Sequence, residues 1–449
     1  MPRWLTYILM TASLTAAVFS KGGVYPREWE WSAMGISLAA CLAVFTSSRR
    51  RGSRRHAWGV ALLVLLLGWI LLQLVPLPAS LVAELSPARW NAVAAARAAT
   101  GEHGSWLALS VAPAATMERL VDVLPAMAAL VAAREMGGWW SNRIWMTVAP
   151  VVAIAWLESI LGLIQFYFTR MAGGAAASAT GTYVNHNHFA GLMEMAFPLA
   201  VMGAVCTWRK GVTRLNQPAG PALRASALFA AAACLLIAII VSLSRMGFLS
   251  TLAAAGLTAL SLPASRRVGD YNPRGWWLWI IPLAAPVCIL LFLSTQEMVL
   301  RFADLAATED ISKDTRMEIW KDTTHLVRAY KWTGCGFGAY EHCLYQFKTA
   351  APTHTVDFAH NDYLQILSEM GLPGGLLVMA VAGWILSRLL SVVLFMRGGK
   401  NWELAVGLLA VFLALGLHSL ADFNLYIPAN ALTMAWLGGV AVSPGLRER

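Results

Sequence analysis

One stretch of the chain, Phe358-Ala-His-Asn-Asp-Tyr-Leu-Gln-Ile-Leu-Ser-Glu-Met-Gly-Leu-Pro-Gly374, ends a long polar loop and runs straight into an apolar segment. It sets an imidazole, an amide and a carboxyl side by side. A histidine titrates near neutrality and can take a proton from a hydroxyl, so His360 is the candidate general base, a role worth about 10²–10⁴-fold in rate. Asn361 or Asp362 can orient its ring, and each can equally cap the following helix. Transfer chemistry also calls for fixed cations where negative charge gathers on a leaving group, and arginine's fork matches a phosphate better than lysine does. Arg245, in Ser244-Arg-Met-Gly247, and Arg316, in Arg316-x3-Trp320, are the candidates. Asn187 and His188, in Gly181-Thr-Tyr-Val-Asn-His-Asn-His-Phe-Ala-Gly191, can contact a phosphate or a sugar.

Each of these residues has a plainer reading. On a helix His360 shares a face with Leu364, Leu367 and Gly371 and is then an interfacial histidine packed on lipid or protein. Arg245 can be an interface anchor, Arg316 an exposed first-turn residue, and Asn187 a helix cap. Glu158 falls inside an apolar run, where an unpaired carboxylate is costly and a functional role is the default suspicion. Pairing with Arg119 or an arginine of another span is the alternative. Glu118, Arg119 and Asp122 put two acids and a cation on one turn, a self-satisfied ion cluster.

The elements that must hold these groups are membrane helices. Hydrophobic residues make up 58% of the 449 positions and charged ones 13%, with 20 Trp. That composition suits a bilayer better than a water-soluble core. Runs long enough to cross roughly 30 Å of hydrocarbon lie at Trp4–Ser20, Trp31–Thr46, Ala57–Pro78, Arg119–Met136, Ile144–Phe168, Asn187–Trp208, Ala225–Leu243, Met246–Pro263, Trp276–Ser294, Gly371–Met396, Trp402–His418 and Tyr426–Val442. The expected fold class is therefore an all-α polytopic protein, one transmembrane domain over 1–449 with about twelve spans. The first run is read as a retained span rather than a cleaved signal, since its small-residue cleavage pattern is poor.

Basic residues follow every even-numbered span, from Arg49-Arg50-Arg51 after the second to Arg397 and Lys400 after the tenth. Positive loops stay cytoplasmic, which puts both termini inside and the candidate site outside, periplasmic if the membrane is a bacterial inner membrane. Two outer loops are too large for mere connections. In 79–116, Ser86-Pro87 opens an Ala-rich helix that can lie along the interface. In 295–370, Thr315-Arg-Met-Glu318 reads as a capping box opening a helix with Ile319, Thr323, Leu326, Val327 and Tyr330 on one face. Gly334-x-Gly336-x-Gly338 then reads as a turn, and a short helix near Tyr340–Phe347 follows.

Several classes are excluded. The net charge of +10 follows from topology, and no basic stripe interleaved with stacking aromatics is present, so nucleic acid is not an expected partner. Neither His186-x-His188 nor His354-x5-His360 has helical metal-ligand spacing with a companion carboxylate, so no metal and no cofactor are expected. Cys335 and Cys343 share the outer loop as a disulfide or as two free thiols.

His360-Asn361, nine residues, then Gly371-x-x-Gly374 resembles the signature of the O-antigen ligase and O-antigen polymerase superfamily of membrane glycosyltransferases. The Gly181–Gly191 stretch, Ser244-Arg245, Arg316-x3-Trp320 and the Gly334 turn match in place and order. The likeness runs from about Glu158 to the last spans. It implies a metal-independent, inverting transfer from an undecaprenyl-diphosphate-linked glycan to a hydroxyl of lipid A-core, a protein or a growing polysaccharide. Outside the cell no sugar nucleotide is present, and a lipid diphosphate supplies the leaving group. The rival class is a transporter or flippase for a lipid-linked or anionic solute, which calls for repeated halves with broken helices meeting at mid-membrane.

Overall fold

The computed structural model describes residues 2–47, 54–101, 104–172, 178–212, 219–262, 313–349 and 355–448. Their helices are α1 (Pro2–Phe19), α2 (Pro26–Thr46), α3 (Arg54–Leu74), α4 (Ala79–Leu85), α5 (Pro87–Thr100), α6 (Pro113–Trp139), α7 (Ala149–Met171), α8 (His186–Val212), α9 (Ala219–Val241), α10 (Arg245–Ser261), α11 (Lys313–Ala329), α12 (Tyr340–Leu344), α13 (Asp362–Phe395), α14 (Trp402–His418) and α15 (Pro428–Ala441). Eleven of the twelve apolar runs fall on helices, and the ninth, Trp276–Ser294, lies outside the described residues. Six helices are long and apolar enough to cross a membrane by length and composition. The chain is an all-α polytopic membrane protein, with one departure among the described residues: a two-residue antiparallel ribbon pairs Leu77 with Leu107 and Pro78 with Trp106, closing the base of the loop between α3 and α6. Among the apolar runs outside these six, α6 carries Glu118, Arg119, Asp122, Arg134 and Glu135, while α10, α14 and α15 have 17, 17 and 14 residues, at or below the short end of the roughly 17–25 residues that cross a bilayer.

Helix α8 is the axis of the bundle. Its span is buried along its whole length, surrounded by α7, α9, α10, α14 and α15. Small residues such as Ala190, Ala196, Ala200 and Ala204, all fully buried, let neighbouring backbones approach. A second group packs the α1–α2 hairpin and α15 on α6, and α3 lies along α13.

Residues 313–349 fold as a small cap. Of the face expected of α11, Ile319, Thr323, Leu326 and Tyr330 are buried and Val327 is half-buried; Cys335, Tyr340, Cys343 and Leu344 join the buried group. The helix already begins at Lys313, ahead of the Thr315 expected as its cap. Cys335 and Cys343 are free, not bridged, and burial first, then the Cys343 thiol alongside, pushes the Cys335 thiol well above its ordinary value. Such a thiol stays protonated and inert.

The cap docks where α13 breaks. Gly371 takes φ 63 and ψ −174 inside the helix, with Pro373 just beyond. The break strips carbonyls of their helical partners, and in a membrane these must be satisfied by protein. The cap does this: Cys335 N donates to Ser368 O (2.9 Å), Gly336 N to Glu369 O (3.0 Å), and Leu372 N to Lys331 O (2.8 Å). A side chain on Gly334 would collide with the Glu369 carbonyl, so the first glycine of the turn is there for close approach, as its sequence reading as a turn implied.

Helix α3 completes the joint. Trp69 Nε1 donates to Met370 O (2.9 Å), while Gln73 Nε2 donates to Thr333 O (2.8 Å) and Glu369 O (2.9 Å) and its Oε1 accepts from Phe337 N (3.0 Å). We expect Gln73→Leu, which leaves these buried groups short of partners at about 1–3 kcal/mol each, to lower the thermal midpoint of the detergent-solubilised protein by several degrees. An unchanged midpoint would remove Gln73 from the joint.

Candidate active site

The site forms where the N-terminal ends of α8 and α13 meet the C-terminal end of α14 beneath the cap. His360 is not on a helix, contrary to the face shared with Leu364 and Leu367. It precedes the cap residue of α13 with φ 49, a left-handed conformation rare for a residue with a side chain. Both flanks are pinned. The Ala359 N–H donates to Gln365 Oε1 (2.6 Å) and its carbonyl accepts from Trp320 Nε1 (3.0 Å). On the other side Asn361 Oδ1 caps α13 at Tyr363 N (3.0 Å) and Leu364 N (3.1 Å), and its amide donates to Leu420 O (2.9 Å). The surroundings over-determine this residue at a strain of about 1–3 kcal/mol, a pattern common at functional sites.

Neither expected neighbour faces the ring. Asn361 is spent on capping. The Asp362 carboxylate is buried and accepts from Ser419 Oγ (2.7 Å) and Leu425 N (3.3 Å). The group opposite His360 Nδ1 is Asp422, at 3.9 Å, in the turn after α14, and sequence reading missed it. Asp422 also lies 3.7 Å from His188 Nε2 and 3.9 Å from His418 Nε2, so three imidazoles surround one carboxylate. His188 Nε2, His360 Nδ1, His418 Nε2 and Asp422 Oδ2 are all buried without a hydrogen bond among the described residues. His418 continues inward: its Nδ1 sits 3.1 Å from both Glu194 oxygens, and Ser250 Oγ donates to Glu194.

Electrostatics favour an ionised Asp422. Burial alone would raise its carboxyl, but the His188 and His360 rings and the charge of His418 outweigh that and hold it well below the usual carboxylate range. Aromatic rings shield it from water. Phe423 lies edge-on to both His188 (4.7 Å) and His360 (5.0 Å) and stacks on Phe358 (4.1 Å). His360 keeps a side-chain exposure of 16%, while its Nδ1 is buried.

A second chain of contacts supports the loop. Gln365 Nε2 donates to Glu369 Oε1 (2.9 Å), Tyr426 Oη to Glu369 Oε2 (2.6 Å), and Arg119 lies 4.2 Å over the Tyr426 ring with Nη2 donating to the Tyr426 carbonyl (3.3 Å). Arg119 pairs with Asp122 as the sequence spacing implied (3.5 Å), and it does not pair with Glu158.

The remaining candidates divide. Arg316 shares a face of α11 with Trp320, whose indole holds the residue before His360, and its Nε is buried with no hydrogen bond among the described residues. Arg245 is exposed in the first turn of α10, just after the cap Ser244 and outward of Ser250. Neither arginine makes a direct contact with His360 among the described residues. Asn187 is half-buried beside His188, but the cap of α8 is Asn185, whose Oδ1 accepts from Asn187 N (2.8 Å). Glu158 belongs elsewhere: buried in α7, it accepts from Thr182 N (2.5 Å) and Thr182 Oγ1 (3.0 Å) and fixes the Gly181 turn. His354 lies outside the described residues.

Residues 230–379 match the family model described as O-antigen ligase. Over this stretch the chain is similar to the O-antigen ligase family. The O-antigen ligase match covers the second half of α9, α10, the cap and the first half of α13, and so includes Arg245, Arg316, His360, Asn361 and Asp362. Glu158, Asn187, His188, Glu194, His418 and Asp422 lie outside the ligase stretch. No curated protein matches the chain. Among the described residues no group of three His, Cys, Asp or Glu side chains is close enough to hold a metal ion.

Proposed function

We propose that the protein transfers a glycan from an undecaprenyl-diphosphate carrier to an acceptor hydroxyl, on lipid A-core, a protein or a growing polysaccharide, at the outer face of a bacterial inner membrane. The observation that carries this reading is His360 itself, held in a strained loop with one ring nitrogen against a buried carboxylate and the rest of the ring open. With the Nδ1 proton turned to Asp422, Nε2 presents its lone pair outward and takes the acceptor proton. The acceptor oxygen then bonds to the anomeric carbon, the bond from that carbon to phosphate breaks, and its electron pair leaves with the diphosphate, inverting the centre. The 3.9 Å separation from Asp422 is long for a hydrogen bond, and such contacts tighten in the substrate complex.

Arg316 and Arg245 take the two ends of the departing diphosphate, Arg316 from beneath the cap and Arg245 from the outer end of α10. Preorganised cations there stabilise the developing charge without reorganisation. His188 and Asn187 border the sugar. The chemistry uses no metal, because the charge on the leaving group is met by guanidinium groups.

Reconstitution in vesicles with purified undecaprenyl-diphosphate glycan and a candidate acceptor tests the proposal. A new glycosidic product with release of the carrier diphosphate is expected. Translocation of the glycan without product would put the protein among the transporters instead. Arg316→Ala is expected to lower the maximal rate by about 10²–10³-fold, as for loss of one donor to a developing charge; a rate within twofold of wild type would remove Arg316 from the diphosphate site.

A further inference from the structure

Glu194 and His418 touch neither the cap nor the open edge of His360, and the chemistry above does not use them. They are nonetheless an ionisable pair buried in the centre of the bundle, at 0% and 1% side-chain exposure. A buried carboxylate is costly unless paired, and Glu194 has found His418 and the Ser250 hydroxyl. The other nitrogen of the same ring points at Asp422, so His418 bridges two carboxylates: Glu194 at 3.1 Å and Asp422 at 3.9 Å. Asp422 therefore has three imidazoles to draw on, of which only His360 reaches the open side.

We propose that Glu194 and His418 are positioning residues: Glu194 keeps the proton on His418, the charged His418 with His188 offsets Asp422, and His360 is thereby left unprotonated to act as base. The inference rests on the reading of His360 as the base. Its logic is a charge count. Among the described residues Asp422 is the carboxylate paired with the His360 ring, and an anion with no other cation beside it would hold a proton on that ring. A ring so protonated has no lone pair to offer. Asp362 at the start of α13, tied to Ser419 and Leu425, lies beside the cluster, and Arg316 stands on the Trp320 face of α11. They are the same in every variant below. The depressed Asp422 carboxyl accords with a site in which its charge is already met.

The sign of the effect is specific. Removing the Glu194 charge lets His418 release its proton, withdraws positive charge from Asp422, and shifts Asp422 onto His360. The midpoint at which His360 loses its proton then moves to higher pH. His418→Gln and His188→Gln act in the same direction, because each deletes a cation that Asp422 would otherwise use. A merely structural role would lower stability or rate at every pH and leave that midpoint where it was.

The test reads the imidazole and not glycan transfer. Diethyl pyrocarbonate acylates only the unprotonated ring, losing carbon dioxide and ethanol, and the extent at His360 is read by peptide mass spectrometry. With full-length protein in detergent, modification is followed between about pH 5 and pH 9 in wild type, Glu194→Gln, His418→Gln and His188→Gln. We expect the midpoint to rise by about one unit in Glu194→Gln, so that modification below it slows about tenfold. His418→Gln serves as an independent arm where Glu194→Gln fails to fold. Glu194→Asp, which keeps the charge, should restore the wild-type curve. Midpoints that coincide with wild type in the folded variants would overturn the proposal, as would a His360 that never reacts. A shifted midpoint together with full transfer by His360→Ala would instead retain this charge relationship and reject His360 as the base.

Discussion

Replacing His360 by Ala should reduce glycan transfer by about 10²–10⁴-fold, with expression, membrane insertion and thermal stability close to wild type. The expectation of a clean loss comes from the geometry. The left-handed backbone at φ 49 is held by bonds to Ala359, Asn361 and Asp362 that do not involve the imidazole, and the ring itself makes no hydrogen bond at Nδ1. Alanine pays a strain similar to histidine's in that conformation. What disappears is the one proton acceptor at the open edge. The measurement is the initial rate of product formation in proteoliposomes at matched protein density. Transfer within a few-fold of wild type would reject the base assignment outright.

Asp422→Asn should be nearly as damaging, with a different signature. An amide keeps the size but not the charge, so His360 loses both the partner that selects its tautomer and the anion beside its ring. The maximal rate is expected to fall on the order of 10²-fold or more, and the acidic limb of the pH–rate profile should move to lower pH, opposite to the shift expected for Glu194→Gln. A profile with unchanged limbs would show that Asp422 does not act through the ring.

Stability should respond too. The folded Asp422 carboxyl lies below its usual range, so the unfolded chain binds the proton more readily. Its contribution is therefore fully present above about pH 4, the unfolded value, and is lost as pH falls through the folded value. Thermal midpoints of wild type and Asp422→Asn should differ at neutral pH and converge in acid. A gap that widens in acid would contradict the depressed carboxyl.

The break in α13 shows how far local pattern reaches. Gly371, Pro373 and Gly374 are visible in the sequence as an irregularity, and the Gly334 turn as another, yet nothing local says that one exists to satisfy the other. Gln73, in the middle of an apolar run, closes that joint and carried no signal beyond being polar where hydrocarbon was expected. An intramembrane glutamine with two donors and an acceptor is a demand for partners, and that was the clue to follow. Glu194 was the same kind of clue, and with Asp422 four residues after His418 it was the legible trace of the buried cluster.

What the sequence determined by itself was whatever depends on sums over neighbouring residues: the apolar runs that become helices and the amphipathic face of α11. These follow from hydration and backbone hydrogen bonding, which act over a turn or two of chain. Only the tertiary structure decided which charges meet. Asp422 approaches His360, His188 and His418 from one turn, and Glu194 meets His418 across two helices, 224 positions apart. Electrostatic interaction falls off with distance in space and is amplified where water is excluded, so the partners exist only once α8, α13 and α14 have packed.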